Sequence, residues 1–280
     1  MKKKYNTALN YKQSPLPFQG QKRNFLKDFT QALKKFPHDA IYVDLFGGSG
    51  LLSRTVKDTY PTSTVVYNDF DNYSERLNHI GQTNDLLSAI RAVLTPQTNK
   101  QRLPLFDKDK VLKIIKKHTE EERFIDYVTL SSSLLFSGKY ATSYEELEKQ
   151  TMYNRVRKSN IPECVSYLEG LEVVKEDYKQ LYLNYKDTKN VVFLLDPPYL
   201  STDTKSYNNG YWELEDYLDV MDVLSADRYF YFTSNKSNIV ELCEWFGKKF
   251  NANPFEGSNK MSVTNSVNHS AKYEDIMLFK

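Results

Sequence analysis

The chain has 280 residues, 40% hydrophobic and 26% charged, which is enough to bury a sizeable core as one large domain or as a domain carrying an insertion. A net charge of only +2 excludes arguing a polyanion partner from total charge, so any such argument rests on where the charge sits. Two cysteines, Cys164 and Cys243, fit no disulfide framework and no metal or redox spacing, no apolar run reaches transmembrane length, and polar Tyr5-Asn6-Thr7 follows Lys2-Lys3-Lys4 where a signal peptide needs an apolar core. The expectation is an intracellular soluble protein with reduced thiols and no metal.

Residues 1 to 35 hold nine Lys or Arg against one acid, Asp28, the most lopsided charge in the chain. Within them Pro15-Leu16-Pro17-Phe18-Gln19-Gly20-Gln21-Lys22 reads as a loop, and a helix follows from about Arg23 to Lys35 with Phe25, Leu26, Phe29, Leu33 and Phe36 as its apolar stripe. Most of these lysines read as a solvated face. Phe18 and Lys22 stand apart, because a loop with an aromatic, a Gly and a Lys can line a site.

Ala40 to Phe46 is a buried-strand pattern that runs into Gly47-Gly48-Ser49-Gly50 and then a helix from Leu51. A strand, glycine turn and helix in that order let backbone and a helix N-terminus approach a ligand closely. The glycines do not make the dinucleotide fingerprint, and Asp44 just before the turn suits a cationic ligand better than a phosphate. Thr64 to Asn68 is the next strand. Asp69 follows it, about two dozen residues after Asp44, where an acid that takes ribose hydroxyls belongs. A nucleoside without phosphates fits this pair of acids.

From residue 81 to 165 the alternation of strand and helix stops, and the stretch reads as helices (84–94, 108–117, 121–135 and 143–150), an insertion or subdomain. Its end, Lys149 to Asn160, is basic without an acid and carries Arg155, Arg157 and Lys158 among Tyr and Asn, side chains that contact phosphates and base edges. A solvated basic loop is an equally common reading of such a stretch.

The α/β pattern resumes at Leu171 to Val174, ending near Asp177 and Tyr178, and continues with Val191-Val192-Phe193-Leu194-Leu195, a strand covered on both faces. Asp196-Pro197-Pro198-Tyr199 follows at its carboxyl end, the edge where open α/β sheets bind ligands. Two prolines stiffen that corner by fixing their own φ and extending the residue before each. A carboxylate, a neighbouring carbonyl and a flat ring are the set needed to hold an exocyclic amino group, although a proline turn with an exposed Asp is the bland alternative. Ser201 to Tyr211 reads as a mobile loop, 212–224 and 239–250 as helices, Tyr229 to Thr233 as a strand, and 261–264 with 275–279 as a terminal hairpin.

In this order, Phe18-Gln19-Gly20-Gln21-Lys22, Asp44-Leu45-Phe46-Gly47-Gly48-Ser49-Gly50, Asn68-Asp69 and Asp196-Pro197-Pro198-Tyr199 resemble the Dam-like N6-adenine DNA methyltransferases of bacteria and phages. The resemblance implies an α/β fold, a Rossmann-like S-adenosylmethionine-dependent methyltransferase sheet with a terminal β-hairpin. The catalytic domain would be residues 1–80 with 166–280, and a mainly helical target-recognition domain would be residues 81–165. It implies S-adenosylmethionine as methyl donor, with Phe18, Lys22, Asp44, Phe46, Gly48 and Gly50 around its methionine part, Asp69 on its ribose, and Asp177 and Tyr178 near its adenine. Asp196 and the Pro197 carbonyl would accept the two N6 hydrogens of a target adenine flipped out of double-stranded DNA, with Pro198 completing the corner and Tyr199 stacking on the base. The setting implied is the cytoplasm of a bacterial cell or phage-infected host. The basic loop would contact DNA, while the recognition region departs from the enterobacterial and T4 Dam proteins and leaves a GATC target open. Methylation of cytosine N4 or of a protein glutamine, a catalytically silent DNA-binding relative and a nicotinamide-dependent oxidoreductase are the competing readings.

Overall fold

A computed structural model describes residues 11–94, 100–136, 138–164, 166–200, 212–266 and 272–280. The chain divides into two compact units: one takes the chain up to Ser14, Gly20–Asp71 and Leu168–Lys280, and the other takes Pro15–Gln19 and Asn72–Tyr167.

The first unit is built on a seven-stranded sheet. Its strands are β1 (Ile41–Asp44), β2 (Thr64–Asn68), β3 (Glu172–Val174), β4 (Val191–Leu195), β5 (Tyr229–Ser234), β6 (Asn259–Ser266) and β7 (Lys272–Phe279), in the order β3-β2-β1-β4-β5-β7-β6. The first five are mutually parallel, and β7 joins antiparallel to both β5 and β6. Unbroken apolar runs form the middle strands because both faces are covered, as parallel strands require. Alternate residues divide between two cores. Tyr42, Val192, Leu194, Phe230 and Phe232 pack with α1 (Leu26–Leu33) and α2 (Leu51–Thr59), and Val43, Phe193, Leu195, Tyr229 and Tyr231 pack with α8 (Tyr178–Tyr185), α9 (Leu214–Val223) and α10 (Ile239–Phe250). This is a doubly wound α/β sheet of the Rossmann-like kind expected from the sequence, closed by a terminal hairpin. The hairpin runs further than the 261–264 and 275–279 segments expected from the sequence, with Asn259 paired to Phe279 and Ser266 to Lys272.

Strand order reverses between β1 and β4, so a crevice opens at their carboxyl ends, the position where doubly wound sheets bind ligands. Asp44 ends β1 and Asp196 follows β4, with Asp44 in register with Leu194. The topology therefore puts the two acids on one edge.

The second unit is helical among its described residues: α3 (Tyr73–Asn78), α4 (Ile80–Val93), α5 (Leu105–Glu120), α6 (Tyr127–Leu134) and α7 (Tyr144–Lys149). The helix expected over 121–135 starts later than its apolar pattern suggests. Glu122 has φ +53 and stops α5, and the Asp126 carboxylate caps α6, accepting from the Thr129 amide at 3.0 Å and the Thr129 hydroxyl at 2.6 Å. Pro15–Gln19 belongs here because α3 holds it. The Tyr73 hydroxyl takes the Leu16 amide at 2.9 Å, and Arg76, ion-paired to Asp126 at 3.1 Å, donates to the Pro17 carbonyl at 2.8 Å.

Candidate active site

The β1 turn is shaped by close approach. A Cβ on Gly47 would fall 2.3 Å from the Tyr67 ring and 2.6 Å from the Asn68 carbonyl oxygen, so only glycine fits, whereas Gly48 (φ +50) and Gly50 (φ +69) supply the left-handed backbone the turn needs. The Tyr67 hydroxyl lies 2.8 Å from the Gly48 carbonyl and 3.1 Å from Asp69 Oδ1, tying the turn to the end of β2. Asn68 adds a second tie. Its side-chain amide donates to Leu45 O at 3.0 Å and Glu176 O at 2.9 Å, and its oxygen accepts the Glu176 amide at 3.0 Å. The ends of β1, β2 and β3 are thus pinned together by one buried side chain that the sequence shows only as the residue before an Asp.

Asp44 is 1% exposed. Its Oδ2 accepts from the Ser53 hydroxyl of α2 at 2.6 Å, and its Oδ1 is buried with no hydrogen-bond partner. Burial raises its pKa from 3.8 to about 7, the Ser53 hydrogen bond opposing and the nearby Asp196 charge adding to the rise. An orphaned buried carboxylate oxygen is costly, and a ligand ammonium satisfies it. The methionine ammonium of S-adenosylmethionine has that chemistry, so the residues present fit the donor.

Phe46 continues from Asp44 into an aromatic wall. Its ring centroid lies 4.8 Å from Tyr178 and 5.7 Å from Trp212, Tyr178 and Trp212 stack at 5.6 Å, and Trp212 meets Tyr217 edge-on at 5.0 Å. Trp212 and Tyr217 escaped the sequence reading, which placed residues 212–224 simply in a helix; an isolated Trp after a polar stretch was the available signal. Asp177 is exposed and caps α8, accepting the Lys179 amide at 2.9 Å, while the Tyr178 hydroxyl donates to the Asp216 carbonyl at 3.1 Å.

At the β4 corner Pro197 and Pro198 are buried and Asp196 is partly exposed. The Lys22 ammonium lies 2.6 Å from Asp196 Oδ2 and 5.4 Å from the centre of the Tyr199 ring. Burial raises the Asp196 pKa, Lys22 opposes the rise, and Asp275 of β7 adds to it. The Tyr199 hydroxyl points to Asp275 Oδ1 at 3.5 Å, and Tyr217 donates to the Tyr199 carbonyl at 3.2 Å. Lys22 therefore meets the β4 carboxylate, a partner that the motif reading did not give it. Phe18 lies instead in the second unit, edge-on to Tyr73 at 5.9 Å.

Arg155, Arg157 and Lys158 also lie in the second unit, where they are exposed while Met152 and Asn154 before them and Val156 among them are buried. The stretch is an extended ribbon held from both sides: the Lys100 amide donates to Asn154 O at 2.6 Å, the Leu103 amide to Met152 O at 2.9 Å, the Tyr153 amide to Leu134 O at 2.7 Å and the Arg155 amide to Ser133 O at 3.0 Å. Lys100 and Arg102 are exposed on the neighbouring segment, and half-exposed Tyr153 packs against exposed Phe136 with ring centroids 5.8 Å apart. Among the described residues no cluster of three or more His, Cys, Asp or Glu could hold a metal, and no helix is long and apolar enough to cross a membrane.

An α/β sheet with a glycine turn, a buried acid ending β1 and an Asp-Pro-Pro-Tyr corner after β4 defines the class as a methyltransferase. The profile of the D12 class N6 adenine-specific DNA methyltransferases matches residues 18–237, and the chain belongs to that family. A protein of Haemophilus influenzae strain Rd named "Putative methyltransferase" is 38% identical over 280 residues, covering 96% of this chain and 93% of its own. Among solved structures, precorrin-6Y C5,15-methyltransferase from Geobacter metallireducens aligns over 92% of this chain and 89% of its own at 10% identity, with a TM-score of 0.33.

Proposed function

We propose that the chain methylates N6 of adenine in double-stranded DNA at specific sites, with S-adenosylmethionine as co-substrate. The observation that carries this reading is the β4 corner: a carboxylate and a carbonyl held stiff by Pro197-Pro198, with Tyr199 beside them, at the switch point that also holds the orphaned oxygen of Asp44. When bound, S-adenosylmethionine supplies a methyl group on a sulfonium, an electrophile that needs no strong base to assist its attack. Asp44 takes the donor's ammonium, Gly48 and Gly50 bound the methionine end, and Lys22, which the family pattern puts with them, faces Asp196 instead. Asp69 receives the ribose hydroxyls. Phe46, Tyr178 and Trp212 offer a flat surface to the donor adenine, with Asp177 at its edge.

Asp196 and the Pro197 carbonyl accept the two hydrogens of the target amine, which orients the nitrogen lone pair and polarises it, while Tyr199 stacks on the base. A paired adenine cannot reach such a corner, so the base is flipped at a cost of a few kcal/mol of unstacking. The helical unit serves as the target-recognition domain. Its ribbon of Arg155, Arg157 and Lys158, beside Lys100 and Arg102, lies on DNA, and the protein works in the cytoplasm of a bacterial or phage-infected cell. Modified-base sequencing of DNA from cells expressing the chain tests the reading. N6-methyladenine at a fixed sequence context, absent with Asp196→Asn, supports it; N4-methylcytosine, or unmodified DNA from the active parent, overturns it.

A further inference from the structure

Resting on that reading, we propose that Lys22 is a positioning residue of the transfer step, the fixed counter-ion that keeps Asp196 a carboxylate and turns it to the incoming amine. Lys22 is 5% exposed, and its ammonium is held between Asp196 Oδ2 at 2.6 Å and the Gly20 carbonyl at 2.8 Å. The backbone is anchored as well. Gly20 takes φ +78, and the Lys22 carbonyl accepts the amide of Phe25, whose side chain is fully buried. An ammonium so confined cannot swing as a surface lysine does. It occupies one carboxylate oxygen and leaves the other to accept from the amine.

Among the described residues, the other groups facing Asp196 do not supply this charge. Asp44 at the end of β1 and Asp275 on β7 are acids, and Tyr199 and Tyr231 are phenols whose own ionisation burial suppresses. Burial and the acid on β7 both push Asp196 towards its neutral form, and Lys22 is the cation that opposes them. A neutral Asp196 would present a hydroxyl donor to an amine that is itself a donor. In the transfer the N6 lone pair forms the bond to carbon, the sulfonium–methyl bond breaks with its electrons left on sulfur, and N6 gives one proton to Asp196, from which it passes to water. The methylated aminium is a far stronger acid than a carboxylic acid, so Asp196 has to be ionised but not strongly basic.

The test is the pH dependence of single-turnover transfer to duplex DNA at saturating donor for the parent, Lys22→Met and Lys22→Arg. Removing the cation raises the Asp196 pKa, so the acid limb of Lys22→Met is expected at higher pH, with about tenfold loss per unit of displacement at a fixed pH on that limb. Its rate recovers as the pH rises. Lys22→Arg is expected to keep the parent's limb, and neither variant to weaken donor binding more than about threefold, well under the tenfold of one lost interaction of 1.4 kcal/mol. A uniform loss at every pH overturns the proposal. So does weaker donor binding with an unmoved limb, which would place Lys22 on the donor carboxylate. Carbon-13 titration of the Asp196 carboxyl, assigned with Asp196→Asn and compared in Lys22→Met and Lys22→Gln, reads the same displacement without turnover. It decides the pairing even if the parent forms no N6-methyladenine, a result that would count against the adenine reading instead.

Discussion

Asp69 follows β2 and Asp196 follows β4, on the same sheet edge with β1 between them, yet their surroundings give them separable tasks. Asp196→Ala removes a preorganised acceptor of the target amine, so transfer is expected to fall on the order of 10²-fold or more while donor affinity stays near normal. Asp69→Ala is expected to do the reverse, weakening donor binding in calorimetry because the ribose hydroxyls lose a charged acceptor. If the two variants show the same defect, the roles are misassigned. Asp44 adds a pH signature. With a pKa near 7 in the folded chain and an ordinary one when unfolded, the folded state holds more protons between about pH 4 and 7, so Asp44 makes stability decline as pH rises through that window. Donor binding ionises the group, so S-adenosylmethionine is expected to bind more tightly as pH rises towards 7 and to release a proton near pH 6. Calorimetry in buffers of different ionisation heat measures that proton, and Asp44→Asn should abolish it. Proton release equal in parent and variant would remove Asp44 from the donor site.

At the scale of elements, the glycine turn shows what a sequence does and does not display. Apolar runs made β1, β2 and β4 legible, and a dipeptide of prolines marked where β4 stops, because these signals are local. Gly48 and Gly50 drew notice as motif glycines, yet Gly47 is the one a ring forbids from carrying a side chain, and Tyr67, which forbids it, sits twenty residues on. Gly47→Ala is expected to cost about 1 to 3 kcal/mol through overpacking and to loosen donor binding, as thermal unfolding and calorimetry would show. An unaltered melting temperature would mean that Tyr67 yields. The Lys22–Asp196 pair, the Phe46–Tyr178–Trp212 wall and the capture of Pro15–Gln19 by Tyr73 and Arg76 join residues far apart in sequence. No period or spacing encodes such meetings. The late start of α6 was hidden for another reason: apolar Phe124 and Ile125 precede it, and only the Asp126 cap shows where the helix begins. Ser201 to Tyr211, read from sequence as a mobile loop, lies outside the described residues, as does Ser137.

For the whole molecule the net charge is too small to signal DNA, but exposed Arg155, Arg157 and Lys158 lie in one stretch of the second unit, with Lys100 and Arg102 on the neighbouring segment. If Arg155 or Arg157 reads a base edge, its Ala variant is expected to lose roughly 1 to 3 kcal/mol of discrimination and to methylate near-cognate sites relatively more often. If both touch phosphate, activity should fall evenly across sites, with a salt slope shallower by about one per contact. A double variant with unaltered preference, affinity and slope would make the ribbon a solvated surface and move the search for recognition to the stretch from Ser137 to Tyr144. The central claim is adenine N6 transfer, and labelled-methyl incorporation into unmethylated duplex DNA, followed by digestion to nucleosides, tests it most directly. The parent is expected to place the label in N6-methyl-2′-deoxyadenosine and Asp196→Ala to place none; label in N4-methyl-2′-deoxycytidine, or none from a parent that binds both donor and DNA, would contradict adenine N6 transfer.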